Sequence, residues 1–135
     1  MASFVTDAGS IGLQNASITW SSATIKARLV SSSVTPTKGS AVMTGLTAIG
    51  TDQTLGSKTG PTTDGTNHRT AYDAADPTWT AVAGGSTAGW VVVYKFVTND
   101  GDSIPIAVLD VTDTPTNGGD IGVTFDSTGI FYTQQ

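Results

Sequence analysis

The stretch Gly89–Val111, GWVVVYKFVTNDGDSIPIAVLDV, constrains the fold more than any other part of the chain because it is apolar on two faces at once. Successive side chains of a strand point to opposite sides of the sheet. Trp90, Val92, Tyr94 and Phe96 therefore share one side, while Val91, Val93 and Val97 share the other with only Lys95 between them. A sheet with one wet face would show polar residues at every second position. This strand needs cover on both sides. In a chain of 135 residues, a second sheet can cover one side. The other is expected to meet a long Gly- and Thr-rich loop, a neighbouring subunit, or both.

The remainder of the chain also reads as strands. Charged residues make up 13% and glutamate is absent, against a usual charged share of about 25%. With few helix-favouring side chains and many β-branched ones, the summed propensities lean towards strands. Ile25, Ala27 and Leu29 alternate with Lys26 and Arg28, the pattern of a strand with one core face and one wet face. The Asp76-Pro77 pair punctuates before a short strand from Thr78 to Val82. Trp90–Val97 and Ile104–Val111 form a hairpin around the polar turn TNDGDS, with Pro105 suited to a strand start or an edge. Ile121, Val123 and Phe125 alternate with Gly122 and Thr124. Val42, Met43, Leu46 and Ile49, at mostly three- and four-residue spacing, predict a short helical turn that Gly45 weakens. Residues 1–16 hold isolated apolar side chains without a period and are expected to form a flexible N-terminal arm. Residues 51–70 contain one large apolar side chain, Leu55, and read as a long polar surface loop or a thin ribbon. The expected fold is all-β: one domain over residues 17–135, an antiparallel β-sandwich or jelly-roll-like barrel with long loops and little helix.

Several kinds of chemistry are disfavoured. Without cysteine there is no disulfide, thiolate metal site or thiol nucleophile. A net charge of −5 with six basic residues argues against a phosphate-binding surface, so no nucleic-acid partner is expected. No apolar segment approaches the ~20 residues of a membrane span, and the first residues lack the pattern of a secretion signal; neither membrane contact nor export is expected. His68, the sole histidine, lies in the polar stretch TNHRT, where a solvated or interface position is expected. With eleven aspartates and many serines, a chance triad partner can always be named for it. LGSKTG fails the phosphate-loop spacing because Ser57 separates Gly56 from Lys58. The pairs Asp100/Asp102 and Asp73/Asp76 read as turn formers and lack the remaining spacing of a calcium loop. Asn15-Ala16-Ser17 matches a glycosylation sequon, which matters only after export. No catalytic, cofactor or metal-ligating residue is assigned. Trp90, among valines, belongs to a core; Trp20 and Trp79, with Asp100 and Asp102, are candidates for a sugar-stacking platform.

The C-terminal half carries a longer pattern in AYDAADPTWTAV, VVVYKF, IPIAVLDV and PTNGGDIGVTFDSTGIF. Tyr72, Asp73, Ala74, Asp76, Trp79, Tyr94, Lys95, Ile106, Ala107, Asn117, Gly118, Gly119, Asp120, Ile121, Val123, Phe125, Gly129, Ile130 and Phe131 fall on it. It resembles a group of small virion structural proteins of tailed bacteriophages. There an aspartate-rich stretch precedes an aromatic strand, an apolar strand ends in Tyr-Lys, and a Pro-x-Asn-Gly-Gly-Asp turn leads to a final Gly-Ile-Phe. The resemblance spans about half of the chain, with ITWSSATIKARLV fitting a first strand more loosely. It departs at FVTNDGDS, where the group has a Thr-Gly turn directly after Tyr-Lys. The resemblance implies a head decoration or cement protein, without enzymatic activity, that binds the outer surface of the assembled head. It implies the major capsid protein as partner, a homo-oligomer with a trimer favoured over a dimer, and synthesis in the cytoplasm of the bacterial host. Phe4, Val5, Ile11, Leu13, Trp20, Leu55, His68, Arg69 and Trp79 are the residues expected at its interfaces. A carbohydrate-binding or host-recognition module, or a tail or neck component, is the alternative expectation.

Overall fold

A computed structural model describes residues 3–134. In chain order the elements are β1 (Phe4–Val5), α1 (Asp7–Gln14), β2 (Ile25–Ser31), β3 (Gln53–Thr54), β4 (Thr59–Asp64), β5 (Arg69–Asp73), β6 (Thr78–Trp79), β7 (Thr87–Lys95), β8 (Ile104–Pro115), β9 (Ile121–Gly122) and β10 (Phe131–Gln134). Strands dominate, helix is scarce, and every strand pair is antiparallel. A five-stranded sheet has the order β1-β8-β7-β2-β3; a three-stranded sheet runs β10-β5-β4, and β6 pairs with β9. The valine-rich β7 is the middle strand of the large sheet, paired through Leu29↔Val91 to β2 and through Val92↔Val108 to β8. That central position is why both of its faces are apolar.

The two faces feed two cores. On one side Val91 and Val93 join Ile25, Ala27, Leu29 and Ile106, packed with Trp20, Tyr72, Trp79 and Phe131 from the rest of the chain. On the other, Val30, Trp90, Val92, Tyr94 and Val108 are covered by Met43 and Leu46, with Phe4, Val34 and Phe96 at the margin. The chain thus hides its own second face, and no neighbouring subunit is needed for it. The 51–70 segment contributes the Asp52 carboxylate there, bonded to Arg28 and Tyr94, but no apolar side chain of that core. The covering segment is built from turns rather than the expected helical turn: Met43 N–H donates to the carbonyls of Asp100 and Ser103, Leu46 N–H to that of Met43, and Ala48 bridges to Val30. Gly45 and Gly50 adopt φ of 88° and 72°, which break any helix and favour glycine. Among the described residues the large hydrophobic side chains left exposed are Ile11 and Val97.

The N-terminal segment differs from its sequence reading, and residues 51–70 take one of the two forms expected of them. Residues 4–14, expected as part of an arm, hold β1, paired to β8 through Phe4↔Val108 and Val5↔Ala107, and then α1. Thr6 caps the helix by accepting from Gly9 N–H, and its own N–H donates to the Ile106 carbonyl. Gly9 lets the helix lie against β8, since a Cβ there would stand 2.6 Å from Ile106 Cα. No apolar period announces so short a helix because its buried residues are glycines, Gly9 lying against β8 and Gly12 against Ile18 of the following loop. Residues 51–70 take the ribbon form, with β3 pairing to β2 and β4 to β5. Leu55 anchors it, buried, with its N–H donating to the Ile25 carbonyl. Two predicted strands are shorter than their sequence implied: that from Thr78 ends at Trp79, before Ala81 turns at φ 49°, and that from Ile121 ends at Gly122, whereas the Ile104 strand runs on to Pro115.

Candidate binding surface

The residues expected at interfaces do not converge. Trp20, Leu55 and Trp79 are 2%, 4% and 1% exposed, so within the protomer they are core and offer no surface to a partner. Trp20 meets Tyr72 and Phe131 edge-on, and those two rings stack at 4.8 Å. Trp20 Nε1 donates to the Asp73 carbonyl. Burial of both indoles dismantles the sugar platform expected of Trp20 and Trp79. Phe4, Val5 and Leu13 are half-buried margins of the two cores. Ile11 is exposed on α1. His68 and Arg69 lie at the β4–β5 turn, His68 exposed at φ 53°. Arg69 stacks on Tyr132 at 3.6 Å and pairs with Asp64 at 3.1 Å.

Sequence reasoning missed the densest polar cluster. Arg28, expected on a wet face, is 6% exposed. Its guanidinium reaches Asp52 and Asp100, each through a bidentate contact with a shortest distance of 2.8 Å, and donates to the Leu46 carbonyl at 2.9 Å. Tyr94 donates its hydroxyl to Asp52, and the Arg28 guanidinium lies 5.4 Å from the Tyr94 ring centre. Burial pulls the Arg28 pKa down, but hydrogen bonds to Asp100 and Asp52 outweigh it, and the net shift is upward. Burial and the Asp52 bond raise that of the Tyr94 hydroxyl. The Arg28 bond holds Asp100 below its ordinary value. Every strong donor here is spent on a protein acceptor, so the cluster pins segment 43–52 and turn 97–103 to the large sheet. It is a clamp. Its partners stand 24 and 72 residues from Arg28, spacings that no local motif records.

Asp102 likewise serves its own turn, accepting from the N–H groups of Thr98 and Asn99. Among the described residues no group of three or more His, Cys, Asp or Glu side chains could hold a metal ion, and no described helix is long and apolar enough to cross a membrane. Three of the open hollows lie in a row. One of about 370 Å³ separates β1 from β10; two of about 360 and 220 Å³ follow β8 opposite residues 121–126. Neighbouring hollows share Ser3, Leu109, Asp110 and Val123, so together they form one trough. In comparisons with known proteins, no family model, curated protein or solved structure matches the chain.

Proposed function

We propose that this chain is a bacteriophage head decoration protein of the cement type, acting by binding rather than by catalysis. One observation carries the reading: the separated segments of the phage-like pattern, residues 72–82 and 117–131, build a single unit. Trp79 pairs with Ile121, Phe125 N–H donates to Asp76, Ala81 N–H to Asp120, and Ile130 N–H to the Tyr72 carbonyl. Val82 and the Gly118-Gly119 turn exchange backbone bonds. The members of the pattern hold one another in place as one folded unit, which supports carrying over the use of the resembling proteins. The finer architecture, a β-sandwich in which the small sheets lie over the large one, belongs to the same proposal.

In this reading the protein forms a homo-oligomer, a trimer, on the outside of the virion and contacts the major capsid protein. A ligand with higher affinity for the assembled shell than for its separated parts stabilises the shell by that difference in free energy. Because the second apolar face is already covered, these contacts draw on strand edges and polar surface rather than on surplus valines. The test is the stoichiometry of purified mature particles by gel densitometry. Many copies, in proportion to the capsomers, are expected; none, or a few at one vertex, would overturn the assignment.

A further inference from the structure

Among the described residues, the indole Nε1 of Trp79 is the one buried side-chain nitrogen or oxygen that finds no hydrogen-bond partner. Trp20, just as deeply buried, shows the ordinary arrangement, its Nε1 donating to the Asp73 carbonyl at 3.1 Å. An indole N–H can only donate. Left unpaired in the core, it gives up its bond to water without a replacement, and such groups are rare enough in folded proteins to call for an acceptor or a function.

A pocket of about 240 Å³ opens beside that donor, lined by Gly50, Thr51, Gln53, Trp79, Thr80 and residues 81–83. The Nε1 edge of the ring is turned towards it. A Cβ on Gly50 would stand 3.7 Å from Cδ1, the ring atom bonded to Nε1, and 3.9 Å from Val82 Cγ2; glycine, here at φ 72°, leaves that space unfilled. Ala81 on the other wall sits at φ 49°, uncommon for a residue with a Cβ, with its N–H donating to Asp120 at 2.9 Å.

The lining narrows the occupant. No charged side chain takes part in it, since Asp52, between Thr51 and Gln53 in the chain, is spent on Arg28 and Tyr94. A charged ligand would lose water there without gaining a counter-charge. Thr51 and Thr80, both exposed, bring hydroxyls that donate or accept, and Gln53 brings an amide whose Nε2 is already taken by the Thr51 carbonyl at 2.8 Å. Val82 and Ala83 add an apolar wall. The volume falls below the ~300–1,000 Å³ of drug-sized sites, so the occupant is small.

We propose that this pocket binds one ring of a neutral sugar, a hydroxyl oxygen of which accepts from Trp79 Nε1–H. The faces of the indole stay in the core, so recognition uses its N–H edge and not a stacking platform. Nε1 is sealed from solvent, and the sugar gains it through a small outward shift of Thr80 and Ala81, both exposed. The inference is independent of the cement reading: particle stoichiometry tests one, and the Trp79 indole signal the other.

The experiment follows the indole N–H resonances of the isotopically labelled full chain during titration with the methyl glycosides of glucose, galactose and mannose, with the corresponding methyl uronides as charged controls. At least one neutral glycoside should shift the Trp79 resonance saturably, together with the amides of residues 50–53 and 80–83, while the Trp20 and Trp90 resonances stay in place. Its uronide should bind about tenfold more weakly or worse. Trp79→Phe, which removes the donor and keeps a ring, and Gly50→Ala, which puts a methyl beside Cδ1, should each weaken binding about tenfold, with unmoved Trp20 and Trp90 resonances reporting an intact fold. No response to any of the glycosides, shifts centred on other residues, equal binding of the uronide, or unchanged affinity in either variant would overturn the proposal. So would a long-lived water on the Trp79 indole proton that persists at saturating sugar, which would make the acceptor a structural water.

Discussion

Replacing Met43 with alanine tests whether the chain alone closes its second core. Met43 is fully buried against Trp90, Val92 and Tyr94. Removing Cγ, Sδ and Cε forfeits about 2.4 kcal/mol at ~0.8 kcal/mol per buried group. A partly collapsed cavity adds about 1 kcal/mol at ~24 cal/mol per Å³. The sum, about 3 kcal/mol, corresponds to a melting temperature lower by about 10 °C, because a chain of this length loses about 0.3 kcal/mol per degree near its midpoint. Urea unfolding followed by tryptophan fluorescence should show an earlier midpoint with an unchanged slope. Met43→Leu, which nearly conserves volume, should cost under about 1.5 kcal/mol. A loss below about 1 kcal/mol for the alanine variant would refute the packing argument. A midpoint that rises with protein concentration would refute it differently, by showing that another copy contributes to the folded state.

Arg28→Met should cost about 3 kcal/mol, since it leaves the Asp52 carboxylate, 15% exposed, beside an apolar side chain; the half-exposed Asp100→Asn should cost under about 1 kcal/mol. Equal losses by urea titration would contradict the clamp. Gly9→Ala should destabilise by about 1–3 kcal/mol despite alanine's better helix propensity, because its Cβ would press on Ile106 backbone, whereas Gly56→Ala meets open space and should be near neutral by thermal melting. The pKa values of Asp64, Asp100, Asp102 and Asp126 are all lowered, chiefly by bonds from Asn67, Arg28, the Asn99 N–H and Thr128 respectively. Groups depressed on folding stabilise above the ordinary value of 3.8 and lose that contribution as pH falls through the lower folded values. Melting temperature should therefore fall with acidification below about pH 4, with a shallower fall in Asp102→Asn; an unchanged melting temperature down to pH 3 would contradict the assignments.

Legibility followed locality. The β7–β8 hairpin and the inward set Ile25, Ala27 and Leu29 were readable because a strand's period of two exposes its buried side within a few residues. Arg28 was misjudged by the same rule. Alternation distinguishes two faces of a strand, but whether the second face meets water depends on what lies over it, here residues 34–46 and two distant carboxylates. Helix α1 escaped notice because a glycine face docks by close backbone approach and leaves no hydrophobic period. Trp20, Leu55 and Trp79 sit beside polar loops in sequence, yet residues of all three sheets pack with them in one core, and that packing depends on pairings such as β5 with β10 that are non-local. For the candidate surface the sequence held only components: the aspartates and half-buried valines are visible, whereas the row of hollows along β8 forms only where residues 121–132 fold back beside it.

The covered second face also changes what kind of association this protein can support. Had Trp90, Val92 and Tyr94 faced outward, assembly would have been driven by apolar area and would have been nearly indifferent to salt. With those rings enclosed, and with Ile11 and Val97 the large apolar side chains left exposed among the described residues, a partner meets backbone groups, aspartates and half-buried walls. Recognition of that kind gains its selectivity from strand pairing and charge. Under the proposed function such a surface gains adhesion where many partner sites are displayed together, because linked sites raise the effective local concentration. In the proposed role an assembled shell is such a display, so the cement reading does not require a surplus apolar face.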